Sequence, residues 1–197
     1  ILNNHTDNDF RITNTDYYIA LGNRRLNIID LSSTGHQPMS NEDNSIWITY
    51  NGEIYNFLEL RKDLVSKGHV FKSRTDTEVI IHSYEEYGEE CIHKFNGMFA
   101  FGLWDSKKRM LFLARDRLGI KPLYYAKVNN FFIFASEIKA ILATGLVERK
   151  VNLEAIHHYL SFLTIPSPLT IFEKIKSIPP GHLMVVENDG EIRLEQY

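Results

Sequence analysis

The sequence predicts an α+β domain built on antiparallel sheets, and three observations lead there. Strand-like runs fall in pairs around tight turns. Residues 98–104 (MFAFGLW) and 109–115 (RMLFLAR) flank DSKK, PLYYAK and FFIFA flank Val128-Asn129-Asn130, and HLMVVE and EIRLEQ flank NDG. Each pair reads as a β-hairpin. Helical segments come mostly two together rather than one after each strand, which argues against a βαβ array. The runs IWITY, MFAFGLW, MLFLA and FFIFA are apolar at consecutive positions, as strands are when both faces of the sheet are covered. The expected architecture is therefore two antiparallel sheets face to face, with helices over both outer faces.

The elements follow in order. Residues 46–50 (IWITY) alternate as a half-buried strand. Asn51-Gly52 is the strongest short hairpin signal in the chain, yet a helix start follows it. Asn56 and Glu59 have capping-box spacing ahead of Phe57, Leu60 and Leu64, and Gly68 can close a helix over 57–67. Thr75-Asp76-Thr77-Glu78 forms a second capping box, and Ile80, Tyr84, Tyr87 and Cys91 carry helical spacing over 77–93. Ser136 and Asn152 are expected to cap two further helices. The turn at NGE is expected to open at one end of the sandwich.

Composition narrows the function. The 197 residues suit one compact domain, or at most two small ones, and 44% hydrophobic with 24% charged residues is ordinary for a soluble globular protein. A formal net charge of −3, with Lys and Arg scattered, gives no footprint for nucleic acid. One cysteine excludes an intrachain disulfide and a cysteine metal cluster. No apolar run reaches membrane-spanning length, and Ile1-Leu2-Asn3-Asn4 lacks signal-peptide character. A cytoplasmic location is expected.

Several familiar patterns carry no chemistry. There is no Walker loop and no G-x-G-x-x-G. His157-His158 have no carboxylate at ligand spacing, and no metal site is expected. Ser136-Glu137-Ile138-Lys139 fits Ser-x-x-Lys without its companion motifs. Cys91 falls on the apolar side of its segment and reads as a buried, inert thiol.

Three stretches make less sense as scaffold. Arg24-Arg25-Leu26-Asn27-Ile28-Ile29-Asp30 sets two arginines at the mouth of an apolar strand, Asn51-Gly52-Glu53 ends another, and Asp76 sits in the first turn of a helix. Singly these are a solvated pair, a tight turn and a carboxylate favoured by the helix dipole. Together they offer a guanidinium for a carboxylate, an anionic group for an ammonium, and an amide plus a backbone N–H for a developing oxyanion. Those are the groups needed to hold an amino acid and polarise its side-chain carbonyl.

RRLNIIDLSSTGHQPM, NGEIYNFLELRKDL, GHVFKSRTDTEVI, NGMFAFGLWD, RDRLGIKPLYY, FASEIKAI and SIPPGH resemble, in this order, the glutaminase domain of glutamine-hydrolysing asparagine synthetases, a branch of the class II glutamine amidotransferases. The resemblance implies the N-terminal-nucleophile hydrolase fold, a four-layer αββα sandwich. It implies that Arg25 pairs with the glutamine α-carboxylate and that Ile28 and Ile29 line the pocket through their backbone. Asn51 and Gly52 would form the oxyanion hole, and Glu53 and Asp76 would hold the α-amino group. Glycine would let the backbone approach substrate while asparagine supplies the second donor. An N-terminal cysteine, with its own α-amine as base, would attack the glutamine amide.

The sequence departs from that pattern at its start. It opens at Ile1, the opening Cys-Gly-Ile strand is absent, and Asn23 stands where the family often has His. As written, the chain has binding groups without a nucleophile and is expected to be inactive. Residues 1–197 are expected to form one glutaminase domain, with no cofactor of its own. ATP and Mg would belong to a C-terminal synthetase domain, whose Ser-Gly-Gly-x-Asp-Ser loop does not occur here. The implied partners are L-glutamine and that synthetase domain, and the sequence leaves a homodimer open. Two alternatives stand beside the enzyme fragment: a nucleophile-less module that binds glutamine or a partner, and an amidotransferase of the same branch with another acceptor.

Overall fold

The computed structural model describes residues 19–24 and 35–197. Its elements run β1 (Met39–Ser40), β2 (Ile46–Ile54), α1 (Phe57–Ser66), α2 (Asp76–Tyr87), a 3-10 segment (Gly88–Lys94), β3 (Gly97–Asp105), β4 (Met110–Arg115), β5 (Tyr124–Val128), β6 (Phe131–Ala135), α3 (Ile138–Ala143), α4 (Leu153–Phe162), β7 (Lys176–Ser177), β8 (His182–Val186) and β9 (Ile192–Gln196). One sheet has six strands in the order β1-β2-β3-β4-β8-β9, the other three in the order β6-β5-β7, and every pairing is antiparallel. Among the described residues no helix is long and apolar enough to cross a membrane.

Strand alternation builds the layers. Ile48, Tyr50 and Ile54 of β2, Phe99, Phe101 and Leu103 of β3, and Phe112 of β4 pack against Ile80, Ile81 and Tyr84 of α2. The opposite parity of the same sheet, with Ala100, Leu111, Leu113 and Met184, meets Tyr125, Phe132 and Phe134 of the smaller sheet and Leu123 just before β5. The far side of that sheet packs Ala126 and Ile133 against Ile138 and Ile141 of α3. The order is helix, sheet, sheet, helix, and both sheets are covered on both faces, which is why their strands read as nearly continuous apolar runs.

All three expected hairpins form, as β3–β4, β5–β6 and β8–β9. Other expectations need correction. The strand at IWITY does not stop at Tyr50; it continues through Asn51-Gly52-Glu53 to Ile54, paired with β3 down to Ile54↔Gly97. NGE is thus a strand end, not a turn. Asn56 stands at the N-cap of α1 without capping it. Its Oδ1 accepts from Asn96 N at 3.0 Å and its Nδ2 donates to Lys94 O at 3.0 Å, so the side chain is spent on the loop entering β3. The segment expected as one helix over 77–93 is α2 followed by a 3-10 turn, broken at Gly88 with φ of +60°. Ser136 does not cap α3; Glu137 stands at that position, also without a side-chain cap bond. Asn152 does cap α4, its Oδ1 accepting from Ala155 N at 3.2 Å.

Two glycines let β2 and β3 meet closely. A Cβ on Gly52 would lie 2.6 Å from Phe99 Cα and overlap the carbonyl of Met98. One on Gly97 would lie 3.0 Å from Ile54 Cα and overlap the carbonyl of Glu53. The neighbours are backbone, so they cannot swing aside. Gly97→Ala should therefore part the strands at this end and lower stability by about 1–3 kcal/mol, the usual cost of overpacking, measurable as a lower urea midpoint.

Candidate active site

Asp76 opens α2 and is buried. One of its oxygens, Oδ2, accepts from Tyr50 Oη at 2.7 Å and from Ile54 N at 3.0 Å. Those two donors flank Asn51-Gly52-Glu53, so one carboxylate grips β2 on either side of the tripeptide. Burial, with the Asp76 charge beside it, drives the Tyr50 phenol far above its ordinary range and keeps it a donor. Asn51 is exposed, and Gly52 and Glu53 are half-buried. Asn51 and Glu53 share the strand parity opposite to Tyr50 and Ile54.

The position of Asp76 is set by the loop before it. Thr75 caps α2, its Oγ1 accepting from Glu78 N at 3.4 Å. Glu78 does not return to Thr75 as a full capping box would have it. Its carboxylate accepts from Lys72 N at 2.7 Å, Ser73 N at 2.7 Å and Ser73 Oγ at 2.6 Å. Arg61 of α1 adds a bond to Ser73 O at 2.7 Å.

Beneath this loop His82 is buried between carboxylates. Its Nδ1 bonds Glu85 Oε2 at 2.7 Å, and its Nε2 has Glu42 and Glu78 oxygens at 3.8 Å, beyond hydrogen-bond reach. Burial opposes charge on His82, but Glu78, Glu85 and then Glu42 outweigh it and hold its pKa up at about 9. Burial likewise raises Glu78, and His82, Ser73 and the two backbone N–H groups overcome it, bringing it down to about 2. His69, His82 and Glu85 also put three ligand-type atoms within 4.8 Å of one another. To hold a divalent cation, His82 would have to shed its proton and the Nδ1–Oε2 hydrogen bond would have to open. The arrangement is that of an ion network centred on His82.

The sequence-predicted residues thus divide. Asn51, Gly52, Glu53 and Asp76 converge on one strand end, although they are separated by more than a helix in sequence. Arg25, Ile28 and Ile29 lie outside the described residues. The polar set around Gln37 escaped the sequence reading. Buried Gln37 accepts from Tyr50 N at 2.8 Å and from Asn23 Nδ2 at 2.9 Å through Oε1, and donates from Nε2 to Thr77 Oγ1 at 3.3 Å. Asn23 Nδ2 also reaches Thr49 Oγ1 at 3.0 Å. The residue preceding Arg24-Arg25 is thereby anchored beside the start of the Asn51 segment. The only signal was the Gly-His-Gln-Pro-Met run, whose polar residues had no evident surface role.

Asp116 was missed as well. Its carboxylate accepts from Phe99 N at 3.2 Å, Leu118 N at 3.1 Å, Ile120 N at 2.9 Å and Lys121 N at 3.0 Å. It closes the RDRLGIK loop against Phe99, the residue paired with Gly52. Cys91 is fully buried, and burial followed by the Glu89 and Glu90 charges pushes its thiol well above the usual range, so it is no nucleophile.

Two antiparallel sheets between helices, with an Asn-Gly-Glu strand end held from both sides, define the class: a glutamine amidotransferase domain of the class II type. The chain belongs to that family, matching the model described as "Glutamine amidotransferase domain" over residues 3–197. It is 42% identical over 182 residues to "Asparagine synthetase [glutamine-hydrolyzing] 1" of Bacillus subtilis (strain 168), covering 92% of this chain and 28% of that protein. It is 45% identical over 128 residues to "Amidase chyE" of Penicillium rubens, covering 65% of this chain and 19% of that one. The chain spans under a third of the length of either relative. Among solved structures, the glutamine phosphoribosylpyrophosphate amidotransferase of B. subtilis shares the fold with a TM-score of 0.58 at 20% identity, over 81% of this chain and 31% of that one.

The His82 network predicts a pH dependence. A histidine whose folded pKa of about 9 exceeds its ordinary 6.5 stabilises the fold fully below pH 6.5, and that contribution is lost as pH rises through 9. Glu78, lowered from 4.5 to about 2, contributes above pH 4.5 and fades as pH falls through 2. Urea midpoints should therefore fall between pH 6.5 and 9 in the parent protein. His82→Gln should be less stable at pH 6.5 and should show a flatter decline. Equal declines would place the titrating group elsewhere.

Proposed function

We propose that this chain is the glutaminase domain of a glutamine-hydrolysing asparagine synthetase, supplying ammonia for ATP-dependent amidation of aspartate. The observation that carries the reading is the grip of Asp76 on Tyr50 and Ile54, which gathers Asn51, Gly52, Glu53 and Asp76 at one strand end. Membership of the amidotransferase family and the 42% identity to the B. subtilis asparagine synthetase support it. In this reading Arg25 pairs with the glutamine α-carboxylate, the backbone of Ile28 and Ile29 lines the pocket, and Glu53 and Asp76 face the α-amino group. ATP and Mg act in the synthetase part, the reaction is cytoplasmic, and residues 1–197 need no cofactor.

The nucleophile is a cysteine thiol outside these 197 residues, since Cys91 is sealed in the core. Its α-amine, with an ordinary pKa of roughly 7.7–8.0, is partly neutral near pH 7 and accepts the thiol proton. The sulfur bonds to the side-chain carbonyl carbon of glutamine, and the carbonyl π pair moves onto oxygen. Asn51 Nδ2 and the Gly52 N–H donate to that oxyanion. The C–N bond then breaks, the proton passes to the departing nitrogen, and ammonia leaves a γ-glutamyl thioester. Water attacks the thioester carbon, giving glutamate and the free thiol. A second reading keeps this half-reaction and changes the acceptor; the likeness to a protein named as an amidase favours weighing it.

In the full-length protein, Asn51→Ala should lower glutamine turnover by about 10²–10³ while leaving the fold intact, because it removes one oxyanion donor from an exposed position. Unchanged turnover would overturn the assignment. The 197 residues alone should hydrolyse no glutamine, and mass spectrometry of the natural protein's N-terminus should find a cysteine. A natural start without one would favour a glutamine-binding module instead.

A further inference from the structure

Tyr50 carries one more atom than its packing requires. Its ring sits in the core against α2, where a phenylalanine ring would fill the same space. The hydroxyl donates to Asp76 Oδ2 at 2.7 Å, with Tyr50 only 7% and Asp76 only 4% exposed. A carboxylate taken out of water usually meets a cation. Here, among the described residues, the side chain of Asp76 has two neutral partners, Tyr50 Oη and Ile54 N. Within that set its charge is met by dipoles and not by an opposite charge.

The two donors also decide which oxygen is available. A carboxylate oxygen accepts about two hydrogen bonds, and Oδ2 has two, from residues on either side of Asn51-Gly52-Glu53. Oδ1 has no partner among the described residues. The terminal torsion of an aspartate is broad, so the plane of the carboxylate is fixed by what bonds it. The Ile54 N–H alone would leave the group free to turn about one contact, and the Tyr50 hydroxyl removes that freedom. Burial, followed by the charges of Asp76 and Glu53, keeps the phenol protonated, so it stays a donor.

We propose that Tyr50 is the positioning residue of the ammonium site: its hydroxyl holds Asp76 Oδ2 so that Oδ1 is presented to the α-ammonium of glutamine. The proposal deepens the glutaminase reading and rests on its placing of the α-amino group at Asp76. The hydroxyl itself does not touch substrate. Its effect is on selection, because an amide without an α-ammonium gains nothing from the orientation of Oδ1. The bond to the α-ammonium lies away from the reacting carbonyl and is the same before and during attack, so it acts on KM and leaves kcat alone.

The test compares glutamine with 4-carbamoylbutanoate, which is glutamine lacking its α-amino group, in the natural full-length protein and its Tyr50→Phe variant. The variant should raise KM for glutamine about tenfold, the worth of one charge-assisted hydrogen bond, with kcat unchanged. Its kinetics with 4-carbamoylbutanoate should match the parent's. Equal losses on both amides, or no loss on either, would overturn the proposal, since a merely structural hydroxyl does not sense the α-amino group. In an Asp76→Asn background Tyr50→Phe should bring no further loss on glutamine, and a second loss of the same size would place its action elsewhere. If the parent turns over no glutamine, the same comparison is read from Kd by calorimetry. A preference for glutamine that Tyr50→Phe abolishes would then support Tyr50 while the glutaminase assignment fails.

Discussion

The carboxylate of Asp76 is the constraint on which the remaining structure around the site depends. Apolar packing of α2 on the larger sheet is broad and non-directional, and by itself it would tolerate a helix shifted along the strands. The two bonds to Asp76 Oδ2 do not tolerate such a shift. They are charge-assisted and buried, and removing them would leave the Ile54 N–H unsatisfied, at a cost of about 1–3 kcal/mol for that group alone. The register between helix and strand is thereby fixed to a residue. The network behind Asp76 serves that precision: Glu78 ties the 72–73 backbone, Thr75 caps the helix, and the charge on His82 compensates the carboxylates packed around it.

The other side of the tripeptide is held by different means. Gly52 and Gly97 bring β3 close enough that backbone occupies the space of a side chain. Phe99, opposite Gly52, is in turn bonded at both its N–H and its carbonyl by Asp116. Asn51-Gly52-Glu53 therefore lies between two buried carboxylates, one acting through α2 and one through the loop after β4. A segment held from both sides has little freedom to lose when it meets a ligand, which is the condition for preorganised donors to act on a reacting group.

Much of this was legible in the sequence, for identifiable reasons. The three hairpins carried strong turns between apolar runs, and Asn152 and Thr75 stood at positions where their side chains do cap α4 and α2, although Glu78 turns to the 72–73 backbone instead of completing a box. The two-residue strands β1 and β7 were not visible, since two residues carry no period. Asn56 was read as a cap because spacing reports which residue could bond the helix, not which competitor wins; the loop at 94–96 won it. The break at Gly88 was hidden because Cys91 and Ile92 remain buried in a 3-10 turn much as they would in an α-helix. Of the candidate site, the residue types were readable, but the joint between Asp76 and the flanks of the Asn-Gly pair was not. That joint spans elements, and Gln37 and Asp116 act through backbone groups that no side-chain pattern records.

Asn51-Gly52 shows what such a conflict between local and global signals means. By local preference the pair should make a two-residue hairpin turn. It instead continues a strand, because Gly97 gives the strand a close partner and Asp76 fixes the far flank. Neither residue is then spent on reversing the chain. Gly52 cannot gain a side chain without displacing β3, while the Asn51 amide remains exposed. Folding accounts for the glycine and leaves the asparagine unexplained. A residue placed against its own propensity, at a position rigidly held and open to solvent, is where function rather than stability should be sought.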